Sequence, residues 1–191
     1  RLSVALLPEE PEACGLLALM LLTDSRRRAR LSGGEVVPLE SQDRSLWDGA
    51  EIDEGVRILD EALTRGAPGP YQVQAAIAAL HATARAPEET DWTQISALYI
   101  TLLKSTPNPI IELNAAVAYG LATSLDGALA WIERLEAEAN LTRYHLLPAS
   151  KADVLRRLAR FKEAAAAYGQ ALALVTNPAE RLYLQKRPSS C

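Results

Sequence analysis

Residues 144–177, YHLLPASKADVLRRLARFKEAAAAYGQALALVTN, read as two amphipathic helices joined by a tight turn at Ala159–Arg160. Small or aromatic residues fall where one helix must approach its neighbour closely: Ala152, Ala164, Tyr168 and Ala171. Two helices joined so tightly must run antiparallel. Only small side chains let their backbones approach at the crossing. Such a hairpin cannot bury its own apolar face, so further copies are expected to stack on it.

Upstream, residues 112–140 repeat the pattern. Ala116 aligns with Ala152, Tyr119 with Leu155, Ala128 with Ala164, Ile132 with Tyr168 and Leu135 with Ala171, an offset of 152 − 116 = 36 residues. A looser copy pairs QAAIAALHATA with TDWTQISALYITLLKSTPNP, placing Tyr99 and Leu102 at the equivalent positions, with extra residues around Pro87–Glu89. The most divergent copy pairs PEACGLLALMLL with EIDEGVRILDEALTRG across a long loop. This spacing is that of the tetratricopeptide (TPR) repeat. The expected fold is all-α, a right-handed TPR-like array of helical hairpins in one domain. A divergent first repeat would span 1–66, hairpins 67–107, 108–140 and 141–177, and a capping helix and tail 178–191.

Start and stop signals agree. The apolar stretch of 12–22 turns abruptly polar, but a helix is expected to run from Glu12 to about Arg30. Gly33–Gly34 and Pro38 mark a loop or a short hairpin. Gly66 ends the helix begun at Ile52. Thr90 or Asp91, Asn108 before Pro109, Ser124, and Asn177 before Pro178 are placed as N-caps. Glu180 is positioned to bond back to the amide of its cap. Arg1–Leu7 reads as the end of a helix cut at its start.

The 191 residues carry a net charge of −4 and are 49% hydrophobic but only 5% aromatic. Packing therefore falls to Ala and Leu. A nucleic-acid-binding domain usually carries the opposite charge balance. The cysteines, Cys14 and Cys191, form no framework, which points to a reducing cytoplasm. The longest apolar run, Gly15–Leu22, is too short to cross a bilayer. There is no metal-ligand, nucleophile-elbow or phosphate-loop motif, and His81 and His145 lie far apart in sequence. No cofactor and no catalytic residue is expected. The run Arg26, Arg27, Arg28 and Arg30 fits a helix C-terminus, where cations meet free carbonyls.

One polar constellation stands out. Asp24, Arg27, Asp43, Arg44, Trp47 and Asp48 flank the long loop. They are read either as a clamp of charge pairs under Trp47 that pins the loop, or as a contact surface for another domain.

The blocks EACGLLALMLLTDSRRRARL, LESQDRSLWD, GPYQVQAAIAALHA, TDWTQISALY, NPIIELNAAVA and YHLLPASKADVLRRLARFKEAAAAY together cover most of the chain. In this order they resemble the C-terminal extension of a group of extracytoplasmic-function (ECF) RNA polymerase sigma factors, often encoded beside YCII-related (DGPF-type) proteins. The chain departs from that pattern at Ala115, where the family often has a basic residue, and at Pro148, where it often has His. The resemblance implies a protein-binding domain of a longer cytoplasmic protein. Its partners would be its own N-terminal sigma regions or RNA polymerase, and DNA only through sigma regions this chain lacks. It implies that Asp24, Arg27, Asp43, Arg44, Trp47, Asp48, Glu112 and Asn114 matter to the domain. Glu112, Asn114 and Tyr119 form a candidate groove. Two other readings are a free-standing TPR adaptor that binds a peptide tail and a small-ligand sensor using a pocket between helices.

Overall fold

The computed structural model describes residues 10–66, 68–138 and 141–187. The readings placed on Arg1–Leu7 and on Cys191 lie outside them. The chain is all-α. Its described helices are α1 (Pro11–Asp24), α2 (Gly49–Leu63), α3 (Pro70–Thr83), α4 (Trp92–Ser105), α5 (Pro109–Ala122), α6 (Leu125–Glu138), α7 (Leu146–Arg157), α8 (Phe161–Leu174) and α9 (Pro178–Lys186). The strands β1 (Leu31–Ser32) and β2 (Glu35–Val36) form one antiparallel hairpin, turned by Gly33 and Gly34 at φ 58° and 81°.

The chain divides into two compact units. The first contains the described residues up to Arg30 and Pro38–Pro107; the second contains Leu31–Val37 and the chain from Asn108 onward. The division at Pro107–Asn108 coincides with the boundary that the 36-residue repeat places between hairpins.

In the second unit α5–α6 and α7–α8 are the two hairpins, and α7 also packs on α5 and α6. Ala116, Ala128, Ile132, Ala152, Ala164 and Ala171 have no exposed surface, and Tyr168 only 2%. These residues build one core with Leu113, Leu129, Leu135, Leu147, Leu155 and Leu184. The turn between α7 and α8 depends on Ala159 at φ 58°, a left-handed conformation that closes the first helix through the Arg160 N–H to Leu155 carbonyl bond. The short α9 covers the end of α8, and β2 packs against α9. Lys186 and Glu35 pair across that contact.

In the first unit α1 packs on both α2 and α3, and α3 on α4. Leu22, Leu59, Ala18, Ala75, Ala78 and Ala82 supply the core. Gly15 permits the α1–α3 approach: a Cβ there would lie 2.8 Å from the Gln72 backbone nitrogen. Glu12 then caps α3 from outside, accepting the N–H groups of Tyr71 and Gln72 at 3.0 and 3.1 Å. The N-terminus of a helix leaves these donors free, and a carboxylate also complements the dipole.

Of the two N-cap candidates for α4, Asp91 fills the role, at 2.8 Å from the Gln94 nitrogen. Two sequence expectations need correction. The first helix ends at Asp24, not near Arg30, because the buried Ser25 bonds the Leu22 carbonyl and the chain tightens into a 3-10 turn at Arg27–Ala29. Glu180 does not return to its cap. Asn177 holds the first amides of α9, while Glu180 lies 3.0 Å from Nε2 of His145.

Candidate functional site

The long loop of the first unit is shaped by its carboxylates. Asp43 accepts from the Ser45 backbone and hydroxyl at 2.9 and 2.6 Å, which opens the 3-10 turn Arg44–Leu46. Those two bonds hold its carboxyl below the usual aspartate range. Asp48 is the N-cap of α2, accepting from the Glu51 nitrogen at 3.1 Å, and its own N–H donates to the Ser25 carbonyl. The loop is thereby tied to the end of α1 at one point and starts α2 at the same residue.

The charge pairing differs from a simple exchange across the loop. Asp24 and Arg27 pair with each other at 2.5 Å, three residues apart and exposed, with Glu51 at 3.8 Å from the same guanidinium. Among the described residues Asp43 and Arg44 pair with neither each other nor a loop partner of opposite sign. Arg44 instead reaches α3, where Nη1 donates to the carbonyls of His81 at 3.0 Å and Ala84 at 2.7 Å. A cation at the C-terminal end of a helix satisfies carbonyls that have no intrahelical donor.

Trp47 is half-buried. The Arg44 guanidinium lies over its ring, 4.4 Å from the centroid, and that of Arg26 lies 5.9 Å away. His81 sits edge-on to Trp92, with ring centroids 5.2 Å apart. Burial, followed by the nearby charges of Arg26 and Arg44, lowers the His81 pKa to about 4. Arg26, His81, Trp92 and Glu51 were not singled out for this site from sequence. Arg26 stood only within an arginine run, and nothing local distinguishes it from Arg28.

The cluster leaves polar atoms without partners. Nε of Arg26, Nε of Arg44 and Nε1 of Trp47 are buried without a hydrogen-bond partner, as is Oε2 of Glu51. Buried polar atoms of this kind are uncommon, and each calls for a structural or functional reason.

In the second unit the candidate groove separates. Glu112 accepts from Nε1 of Trp131 at 2.8 Å and from Arg134 at 3.0 Å. Tyr119 packs edge-on against Trp131 and above Gly127. Both therefore fasten α5 to α6. Asn114 is exposed and lies on a different face of α5, in register with Val117 and Leu121. These two residues line a small cleft with Ser150, Asp153, Val154 and Arg157 of α7. There burial raises the Asp153 pKa, but bonds from Arg157 and Arg156 outweigh it and leave the carboxyl low. A larger cavity of about 400 Å³ is walled by Leu141, Leu147, Pro148, Ala173 and Leu174, with Glu136, Thr142 and Gln170 at its polar edge. Among the described residues no group of His, Cys, Asp and Glu could hold a metal ion. No described helix is long and apolar enough to cross a membrane.

A family of unknown function (DUF6596) matches residues 1–63, which include the whole charged loop. An uncharacterized protein of Rhizobium meliloti (strain 1021) is 46% identical over 187 residues. That match takes in 97% of this chain but 44% of the relative, so the chain spans less than half of the curated protein it resembles. No solved structure matches the chain.

Proposed function

We propose that this chain is a regulatory, protein-binding domain of an ECF-type sigma factor, and that it docks on the sigma core or on RNA polymerase during transcription initiation. The observation that carries this reading is the ordered set of six sequence blocks, from EACGLLALMLL to the Tyr144–Tyr168 stretch, which resembles the extension of such factors. The match to less than half of the Rhizobium protein supports it, since a docking domain belongs to a longer polypeptide. The domain works as a binding module in the cytoplasm and carries no reaction of its own. A covalent tether raises the effective concentration of the two parts, so a modest interface suffices.

Purified full-length Rhizobium relative tests the reading. It should bind core RNA polymerase and direct initiation in vitro, and removal of the segment homologous to this chain should change that activity. This chain, added in trans, should associate with the remainder. A relative that neither binds core enzyme nor supports initiation overturns the proposal.

The cavity walled by Leu141, Leu147 and Pro148 favours one further reading, a small-ligand sensor. Its volume of about 400 Å³ and mostly apolar walls suit a small organic molecule. Leu147→Trp, which fills the cavity, should abolish any ligand-induced rise in melting temperature. The sensor reading fails if the variant responds as the wild type does.

A further inference from the structure

Arg26 is a half-buried cation in poor surroundings. Its Nε is buried without a partner. No carboxylate among the described residues stands within ion-pairing distance of it. The charges that act on it most strongly are those of Arg30 and Arg44, which repel it. The carbonyls at the end of α1 relieve little of this, because Arg30 takes the Thr23 carbonyl. The helix terminus offers only about half a charge, shared among several arginines. Arg44 is held over the Trp47 ring by its two bonds to the end of α3, so it cannot swing away to lessen the repulsion. A fixed cation, Arg44, and a second one, Arg26, thus share one indole whose own N–H lacks an acceptor. An isolated charge out of water is costly unless paired, and a fixed group of donors without an acceptor is the complement of an anion.

We propose that Arg26, Arg44 and Trp47 form an oxyanion-binding notch that receives a side-chain carboxylate from an acidic protein segment. The docking reading above supplies the owner of that carboxylate; the existence of the notch does not depend on it. The planar guanidinium of Arg26 presents paired N–H groups that match a carboxylate. Nucleic acid fits less well. The Arg44 guanidinium already stacks over the Trp47 ring, where a base would compete with it. Glu88 and Glu89 act on Arg44 and would repel each further charge, so a segment with few carboxylates suits the notch better than a phosphate backbone charged at every residue. The neutral His81 beside the same arginines acts as a reporter, because an anion bound there would raise its pKa.

The test follows the side-chain N–H resonances of Arg26 and Trp47 in the 15N-labelled chain. Acetate, chloride, a capped hexapeptide of alternating Glu and Gly, and a single-stranded oligonucleotide are titrated at constant ionic strength. Acetate and the peptide should shift both resonances to saturation and raise the His81 midpoint above about 4, while chloride does neither. Arg26→Gln should weaken peptide binding at least tenfold, and Arg57→Gln, an exposed change on α2, less than twofold. Arg26→Lys, which keeps the charge but loses the fork, should fall between. Because Arg26→Gln removes an unpaired cation, its melting temperature should equal or exceed that of the wild type, so lost binding cannot be ascribed to unfolding. The notch is overturned if acetate and chloride act alike, or if Arg26→Gln binds the peptide as well as the wild type. It is equally overturned if the oligonucleotide binds tenfold more tightly than the peptide with the same dependence on Arg26. Peptide binding through Arg26, with no association between this chain and the remainder of the Rhizobium relative, would uphold the notch and defeat the docking reading.

Discussion

Arg44 lies 4.4 Å over the ring of Trp47 while its Nη1 donates to the carbonyls of His81 and Ala84. One side chain therefore joins the long loop to the end of α3. Arg44→Ala should destabilise the domain by about 1–3 kcal/mol, since two carbonyls lose a charged donor and the indole loses its cover. Arg44→Lys should recover only part of that, because an ammonium cannot both stack and fork. Equal denaturation midpoints for wild type and Arg44→Ala would show that the loop is held by its caps alone.

The two aspartates of the loop should behave differently. Asp48→Ala removes the N-cap of a 15-residue helix and should cost about 0.5–2 kcal/mol. Asp43 is exposed, and among the described residues its carboxylate bonds only Ser45, so Asp43→Ala strands no arginine and should cost less than Asp48→Ala. Chemical denaturation of the two variants side by side gives the ranking, and the reverse order would contradict it.

His81 sets a pH dependence. Its folded-state pKa is lowered to about 4, against about 6.5 in an unfolded chain. Between these values the unfolded state binds more protons, so folding stability rises with pH across that window. The stabilisation is fully present above about 6.5 and is lost as pH falls through about 4. The slope from this one group is at most about 1.4 kcal/mol per pH unit. Urea midpoints measured from pH 4 to 7 should show the rise, and His81→Gln should flatten it. A slope unchanged in the variant would assign the dependence to other groups.

Helix crossings should punish added volume. Ala152 and Ala164 have no exposed surface, and a Cβ on Gly15 would meet the Gln72 backbone at 2.8 Å. Ala152→Leu and Ala164→Leu should each cost about 1–3 kcal/mol through forced repacking. Gly15→Ala should lower the melting temperature although alanine favours helix, because backbone atoms cannot yield as a flexible side chain can. An increase in melting temperature for Gly15→Ala would mean that α1 and α3 can separate freely.

The chain's own order of residues determined its helices and their pairing into hairpins. Ala116, Ala128, Ile132 and Leu135 recur 36 residues on as Ala152, Ala164, Tyr168 and Ala171, and all occupy the buried crossings. Most helix starts were equally legible, since Asn108, Ser124 and Asn177 bond amides only two or three residues away. Such signals are local, and local geometry follows from the identity of near neighbours. The charged loop was legible as a place but not as a set of partners. Alternating Asp and Arg suggested exchange across the loop, yet Arg44 bonds carbonyls 37 and 40 residues away that any residue type could have supplied. Glu112 and Tyr119 fasten two helices while Asn114 faces away, because a helix turns residues so near in sequence to different sides. Arg26 differs from Arg28 in being half-buried beside Trp47, which nothing in the local sequence marks. Whether a cation sits among carboxylates, carbonyls or other cations depends on how distant segments pack, and only the tertiary structure decided that.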